Sequence, residues 1–356
     1  MELKELLKKT AGLMTVAGYE ATSHGEVAKL FMPYFDEYKT DKVGNIVFIK
    51  KCGKENAKKI LIDAHFDEVG MLVTEICDGG YLRVTNVGGI DSRILSASEA
   101  VIYGAKKIYG LFISVPPHLQ KPEERGKLKK INELLIDTGF SKEELEKYVN
   151  IGTPVGFMPN YTDLLNGNIS GKGFDNKACA AIGAYAVGML KDTELSSDIY
   201  LSLSTREEVG QNGANNAVFE TEPDNIIVLD ACFGFAPEGK RPAHALMGGG
   251  PDISYSVLLD RAFTKFAINV AKEKEIPYQI DVEANDTGTN ANYLPLIKDG
   301  IPTVLISLPL VFMHTYNEMI NVKDAENTAK LICEIIKAKD AEFAAKAGKI
   351  GNGGEK

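Results

Sequence analysis

Four apolar segments restrict the folds that this chain can adopt. Few polar side chains interrupt KKILIDAH, DIYLSLST, NIIVLDA and IPTVLISLP. Strands that are apolar along their whole length are usually buried on both faces, as in a sheet that helices cover. Segments with a helical spacing of apolar residues alternate with them, among them DRAFTKFAINVAKEKE. This alternation of strands and helices predicts an α/β sandwich.

The middle of the chain has a different composition. Short β-like pieces rich in Gly and Pro occupy residues 69–166, with one helical insert that begins at a capping-box pattern, Ser141 with Glu144. A segment of this length is a usual size for a small domain. We therefore predict an α/β domain built from residues 1–68 and 167–348, interrupted by a β-rich domain at 69–166. Residues 349–356 would form a flexible tail.

The composition argues against several classes of function. The chain has 356 residues and a net charge of −9, whereas nucleic-acid binding needs a basic surface. No apolar run approaches the length that spans a membrane. The five cysteines are scattered and form no CxxC motif, which favours a reducing compartment over a disulfide framework. We expect a soluble, cytoplasmic protein that binds neither nucleic acid nor membrane.

Acidic and histidine side chains occur where the apolar segments end or a helix begins. They are His65, Asp175, Glu207, Glu208, Asp230 and His314. In open α/β sheets, ligands bind at the carboxyl ends of the strands, so we expect these side chains to meet at one edge. Imidazole and carboxylate together suit divalent transition metals, zinc above all. Because each residue alone is more often a cap, a turn former or a surface group, the prediction depends on the whole set.

The size of the set indicates more than one metal. Five strand or loop ends each supply one ligand if only one of the two adjacent glutamates is counted. Five ligands exceed the three protein ligands that one catalytic zinc takes, and they fit two metals that share a carboxylate and activate a water. A further carboxylate must take the proton of that water and pass it to the leaving group. One of the adjacent Glu207 and Glu208 would be a ligand and the other this base. Asp67, two residues after His65, could hydrogen-bond the far nitrogen of that imidazole.

The ordered motifs resemble those of the M42 family of metallo-aminopeptidases, the glutamyl-aminopeptidase and TET-like enzymes, of which some are labelled endoglucanases. The similarity runs over nearly the whole chain through AHFDEVG, GKGFDNK, REEVGQNGA, VLDA and GTNANYLPLIKDGIPTVLISLPLVFMHTYNEMINVKD. The resemblance implies a zinc-peptidase-like α/β sandwich with a mixed central sheet and an inserted PDZ-like β domain. It also implies a peptide substrate and a homo-oligomer, in this family often a dodecamer.

The family pattern implies a role for each metal ligand. Two divalent ions per chain, zinc or cobalt, would bind at the end of the sheet. Asp175 would bridge both ions. His65 and Asp230 would complete one site, and Glu208 and His314 would complete the other.

The family pattern also implies that Glu207 is the general base and that Asp67 is the acid behind the first histidine. Three positions depart from the pattern. Lys177 and Asn290 stand where Arg and Asp are common, and Val311 stands where the family often has Arg. These departures leave the preferred N-terminal residue open, and no preference for acidic residues is carried over.

Four functions remain open when the residues and the resemblance are taken together. The leading one is a two-metal aminopeptidase that removes N-terminal residues from peptides. A two-metal deacylase or carboxypeptidase would use the same ligands on another amide. A metal-independent glycoside hydrolase would pair Glu207 with another carboxylate, although the two histidines argue against it. A non-catalytic shell or binding protein is the fourth, and the complete ligand set argues against that.

Overall fold

The computed structural model of the protein describes residues 1–124, 126–236 and 245–351. The α-helices in these ranges are α1 (Leu3–Ala11), α2 (His24–Phe31), α3 (Lys142–Leu145), α4 (Phe174–Gly188), α5 (Ala214–Thr221), α6 (Arg261–Glu273) and α7 (Val322–Gly351). The strands are β1 (Glu37–Thr40), β2 (Ile46–Lys50), β3 (Lys58–His65), β4 (Gly70–Ile76), β5 (Tyr81–Val87), β6 (Glu99–Tyr103), β7 (Lys107–Phe112), β8 (Leu135–Asp137), β9 (Pro154–Phe157), β10 (Thr162–Asp163), β11 (Asn168–Gly171), β12 (Ser197–Ser204), β13 (Asn225–Phe233), β14 (Asp252–Ser256), β15 (Gln279–Glu283), β16 (Thr303–Val311) and β17 (Glu318–Asn321).

A mixed sheet forms the centre of the molecule, in the strand order β1-β2-β12-β3-β13-β16-β17-β11-β10. Strand β14 pairs with β16 and β15 beside this path. The inner strands β12, β3, β13 and β16 run parallel to one another. They are the four apolar segments of the sequence, and most of their residues are buried. The prediction of an α/β fold with a mixed sheet is therefore confirmed.

Helices cover both faces of this sheet. Successive residues of β3 point to opposite faces, so Ile60 and Ile62 belong to the larger core, which includes residues of α1, α4, α6 and α7. Leu61 between them belongs to a second core with Ala214 and Val218 of α5. The continuous apolar sequence of the inner strands follows from this burial on both sides.

A closed barrel of antiparallel strands, in the order β4-β5-β8-β7-β6-β9, is inserted between β3 and α4. It has a core of its own, and β7 alternates exposed and buried residues as a strand with one solvated face does. The expectation of a small β-rich unit here is confirmed. Strand β10, which lies within the predicted insertion, pairs with β11 of the central sheet. The domain boundaries therefore stay a prediction.

The C-terminal helix is long. It reaches Gly351, so the predicted tail begins in helical backbone, and residues 352–356 lie outside the described residues. Within the part of the chain that the structure describes, no helix has both the length and the apolar character that crossing a lipid bilayer needs.

Candidate active site

The structure brings all the predicted ligands to one edge of the central sheet. His65 is the last residue of β3, and Asp175 lies in the first turn of α4. Glu208 and His314 follow the ends of β12 and β16. Asp230 lies within β13, three residues before its end. Parallel strands end at the same edge, which is why residues far apart in sequence meet there.

His65 is the centre of the first ligand set, which is buried. Its Nε2 lies 3.2 Å from Oδ1 of Asp175 and 3.6 Å from Oδ1 of Asp230. The possible ligand atoms of these three residues all lie within 4.8 Å of one another. This spacing could hold one metal ion.

His314 is the centre of the second set, which is partly exposed. Its Nε2 lies 3.2 Å from Oε2 of Glu208 and 3.5 Å from Oδ2 of Asp175. These ligand atoms also fit within 4.8 Å. The two oxygens of Asp175 thus face different imidazoles, so this single carboxylate belongs to both sets.

Main-chain carbonyl groups orient both imidazoles. Nδ1 of His65 lies 3.0 Å from the carbonyl oxygen of Asp67, and Nδ1 of His314 lies 2.9 Å from that of Gly89 in the β barrel. A carbonyl oxygen only accepts hydrogen bonds, so each Nδ1 carries the proton and each Nε2 is left to face the carboxylates.

Asp67 contacts the site in a different way from the one expected. Its carboxylate lies 3.6 Å from Nδ1 of His65. The main-chain carbonyl oxygen of Asp67 is closer to the same nitrogen, at 3.0 Å. The same carboxylate accepts hydrogen bonds from the main-chain N–H groups of Glu207 and Glu208, both at 3.1 Å. Asp67 therefore fixes the turn that carries the two glutamates as well as the first histidine.

The charges of the cluster attract cations. Burial lowers the pKa of His314, but hydrogen bonds to Asp175 and Glu208 outweigh burial and raise that pKa to about 11. Burial raises the pKa of Asp175, but hydrogen bonds from His314 and His65 outweigh burial and lower it. The carboxylates thus stabilise an extra proton on the imidazoles. A divalent ion would displace that proton, because metal binding requires deprotonated ligands.

Glu207 differs from the ligands in its surroundings. Burial is the main reason why the pKa of this carboxyl rises to about 8, with the charges of Asp230, Glu208 and Asp175 acting in the same direction. Its Oε1 is buried without a hydrogen-bond partner among the described residues. The side chain lines a cavity of about 390 Å³ together with the ligand sets. A carboxyl group with such a pKa can exchange a proton near neutral pH.

Glu318 supports the site and was given no role in the sequence analysis. It begins β17 and is buried. Its carboxylate accepts hydrogen bonds from the main-chain N–H groups of Phe174 at 2.7 Å and Asp175 at 3.1 Å. It also accepts one from the main-chain N–H of His314 at 3.1 Å. In the sequence, Glu318 is only a Glu within a short segment near His314, and that does not reveal these partners.

We expect Glu318→Gln to weaken the site without removing a ligand. The amide nitrogen of Gln cannot accept a hydrogen bond, so at least one buried main-chain N–H loses its partner, at a cost of about 1–3 kcal/mol. Affinity for divalent metal or turnover should fall about 10–100-fold. Competition against a chromophoric chelator measures the affinity, and Glu326→Gln on the exposed face of α7 is the matched control. Unchanged metal affinity and turnover in Glu318→Gln would contradict this role.

Lys177, one of the three departures from the family pattern, is part of a buried ion-pair network. Its Nζ lies 2.9 Å from Oε2 of Glu68, and Nζ of Lys172 lies 2.6 Å from Oε1 of the same carboxylate. It also donates a hydrogen bond to the carbonyl oxygen of Leu13 at 2.8 Å. Burial is the main reason why the pKa of Lys177 falls to about 7. This lysine therefore helps to hold the chain segments behind the site.

The other two departures also lie away from the ligands. The amide of Asn290 donates hydrogen bonds to Asp63 and Ser204, both at 3.0 Å, in the interior of the sheet. Val311 is buried at the end of β16, and it is not among the described side chains that line the cavity. The Val311 side chain therefore does not contribute directly to the polarity of the cavity.

The cavity also contains acidic side chains that the sequence analysis left without a role. They are Asp252, Asp281 and Glu283, on the neighbouring strands β14 and β15. Single acidic residues on short strands give no signal by themselves, because exposed strand faces commonly carry them.

The chain matches known proteins over most of its length. A family model described as M42 glutamyl aminopeptidase matches residues 44–331. The lysyl aminopeptidase of Pyrococcus furiosus is 32% identical over 333 residues, which cover 92% of this chain and 94% of that enzyme.

Solved structures with the same fold give a consistent result. The TET aminopeptidase of the marine sediment archaeon Thaumarchaeota archaeon SCGC AB-539-E09 has a TM-score of 0.88 at 30% identity and covers 96% of this chain and 98% of its own. The TET1 peptidase of Pyrococcus horikoshii, which can assemble into a tetrahedron or a large octahedral shell, has a TM-score of 0.81 at 27% identity, with 94% and 99% covered. A Thermotoga maritima protein named endoglucanase has a TM-score of 0.74 at 27% identity, with 95% and 99% covered. With most of its length inside the family model and a relative of more than 30% identity, the chain belongs to the M42 family of aminopeptidases, as its motifs predicted.

Proposed function

We propose that this chain is a two-metal aminopeptidase that removes N-terminal residues from peptides. The observation that carries the proposal is the position of Asp175, whose two carboxylate oxygens face the imidazoles of His65 and His314. Two metals that share one ligand require such a carboxylate between two ligand sets. Membership of the M42 family supports a peptide as the substrate.

The donor atoms fit divalent ions such as zinc or cobalt. Imidazole nitrogen and carboxylate oxygen suit zinc, and each set supplies the three protein ligands of a catalytic zinc. With Asp175 shared, His65 and Asp230 would hold one ion, and Glu208 and His314 the other. When bound, the ions would polarise the scissile carbonyl group and make a water acidic enough to act as the nucleophile.

Glu207 would carry the proton during the reaction. It would accept a proton from the attacking water and give it to the nitrogen of the leaving amine as the peptide bond breaks. The raised pKa and the free oxygen of this side chain support the role. The Asp67 carboxylate would keep Glu207 and Glu208 at fixed positions through their main-chain N–H groups.

The rival functions differ in the substrate that they need. A deacylase or a carboxypeptidase would use the same ligand sets, so the geometry of the site alone does not separate them from an aminopeptidase. A glycoside hydrolase would need two carboxylates and no metal, and it would leave the pair of oriented imidazoles without a function. The aminopeptidase names of the relatives favour the first reading.

Hydrolysis of free and N-acetylated forms of the same short peptides tests the proposal. We expect about two ions per chain, and release of the first residue from the free peptides alone. Removal of the metal with a chelator should abolish turnover, and added zinc or cobalt should restore it. Release of acetate, or of the last residue, would instead identify a deacylase or a carboxypeptidase. Activity on a β-glucan that survives chelation would identify a glycoside hydrolase.

Assembly and location complete the proposal. We propose a cytoplasmic homo-oligomer, such as a dodecamer, in which the barrel is PDZ-like and the sheet zinc-peptidase-like. The TET1 peptidase that assembles into a tetrahedron or an octahedral shell supports the oligomer. The free state of all five cysteines supports a reducing compartment. Light scattering on the purified chain should give the mass of a closed oligomer, and a monomer would contradict this part.

A further inference from the structure

A second group of carboxylates lies on one wall of the cavity. Strands β14 and β15 pair in parallel, which aligns Ser254 with Asp281 and Ser256 with Glu283. Paired residues of neighbouring strands point to the same face, as do residues two apart on one strand. Asp252, Asp281 and Glu283 therefore share one face of this strand pair, and all three line the cavity.

These carboxylates lack a positive partner in the part of the chain that the structure describes. Asp252 is only 4% exposed, and its Oδ1 is buried without a hydrogen-bond partner among the described residues. Oε2 of Glu283 is also buried without a hydrogen-bond partner among the described residues. In the described ranges, no Lys, Arg or His forms an ion pair with Asp252, Asp281 or Glu283. Burying a carboxylate without a compensating partner is costly, so the arrangement fits a cation that comes from outside the described residues.

The electrostatics of the wall point in the same direction. Burial and then the charge of Asp281 raise the pKa of Asp252 to about 7. Burial and the charges of Asp281, Asp252 and Asp230 raise the pKa of Glu283 to about 7. A cation placed among these side chains would relieve the repulsion and favour their charged forms.

The spacing of this second group does not suit a directly bound metal. Among the described residues, two groups bring their ligand atoms within the distance that one ion needs, and both belong to the ligand sets around Asp175. Among the described residues, seven carboxylates line the cavity, and two divalent ions would offset only four of their charges. The excess fits an organic cation with several N–H donors, such as an ammonium or guanidinium group.

We propose that Asp252, Asp281 and Glu283 form the pocket for the first side chain of the substrate and select Lys or Arg. This inference rests on the proposed aminopeptidase function and adds the substrate class. A peptide whose amino end lies at the ligand sets has its first side chain within the same cavity. The long, flexible stem of Lys or Arg carries its charge away from the reacting bond toward the acidic wall. A Glu at that position would meet like charges there.

The test compares aminoacyl p-nitroanilides of Lys, Arg, norleucine and Glu. Norleucine has nearly the shape of the Lys stem without the charge. We expect kcat/KM for Lys and Arg to exceed that for norleucine by about 100-fold, the size of effect expected for a desolvated charge pair, and Glu to be the poorest substrate. Equal kcat/KM for Lys and norleucine would overturn the inference while leaving the proposed function intact. Failure to hydrolyse any of the four would overturn the proposed function, and the inference with it.

Substitutions that remove the charge of a wall carboxylate test whether these side chains cause the preference for Lys and Arg. Asp252→Asn and Glu283→Gln should each lower kcat/KM for Lys and Arg by about 10–100-fold and change norleucine by less than about 3-fold. Asp281→Asn, on a partly exposed side chain, serves as a second variant if Asp252→Asn does not fold. The control is Asp192→Asn, which removes an exposed charge outside the cavity. An equal loss on all four substrates would mean that the wall has a structural role, and would overturn the inference.

Discussion

Glu207→Gln will lower kcat by about 10²–10⁴-fold while the chain keeps both metal ions. The amide has nearly the shape of the carboxylate but cannot accept the proton of the attacking water. Glu207 belongs to neither ligand set, so its loss should not empty the site. Its main-chain N–H, which Asp67 holds, is unchanged by the substitution. The measurement is turnover of a free peptide together with metal content of the same sample.

Glu208→Gln is the matched comparison for this result, since it alters the neighbouring residue in the same turn. It should lose metal from one set as well as activity, because Glu208 faces His314 and the shared Asp175. A Glu207→Gln variant with two ions and full turnover would contradict the role of Glu207. So would a Glu207→Gln variant that has lost its metal, since that would make this residue a ligand.

Asp175→Asn will remove both ions, and activity will fall at least as far as in Glu207→Gln. The amide is neutral and exposes only one oxygen, whereas the carboxylate offers one oxygen to each imidazole. Each set would keep two good ligands, fewer than the three that a catalytic zinc takes. We expect metal content below about one ion per chain after dialysis, measured by atomic emission.

Asp230→Asn provides the control for this second prediction, because Asp230 belongs to one set only. It should retain about one ion per chain, at the site around His314. Equal metal content in Asp175→Asn and Asp230→Asn would contradict the shared role of Asp175. Thermal unfolding with and without zinc separates loss of metal from loss of the fold, since a bound ion stabilises the native state by an amount that grows with the logarithm of the free-ion concentration.

The sequence predicts the sheet and the convergence of the acidic and histidine side chains because both depend on local signals. The four inner strands are recognisable since burial on two faces demands continuous apolar residues. The candidate ligands are recognisable because His65 ends such a strand, Asp230 lies near the end of another, and the others follow strands or begin a helix. Their convergence then follows from the geometry of parallel strands.

The remaining features depend on contacts between distant segments. Glu318 accepts hydrogen bonds from main-chain N–H groups of α4 and of the loop after β16. Because every residue except Pro has such an N–H group, the residue types do not reveal these bonds. Asp67 proves to hold the glutamate turn, which the spacing of two residues from His65 does not reveal. Asp252, Asp281 and Glu283 come to share one face only because β14 pairs with β15. Such pairing is set by the assembled sheet, and periodicity along one segment does not encode it.

Anomalous diffraction from crystals grown with zinc will show directly whether two ions share Asp175. We expect two peaks about 3.5–4 Å apart, both in contact with Asp175. One peak should lie against His65 and Asp230, and the other should lie against Glu208 and His314. A single peak in a fully active crystal preparation, or two peaks that do not share Asp175, would rule out the proposed two-metal site.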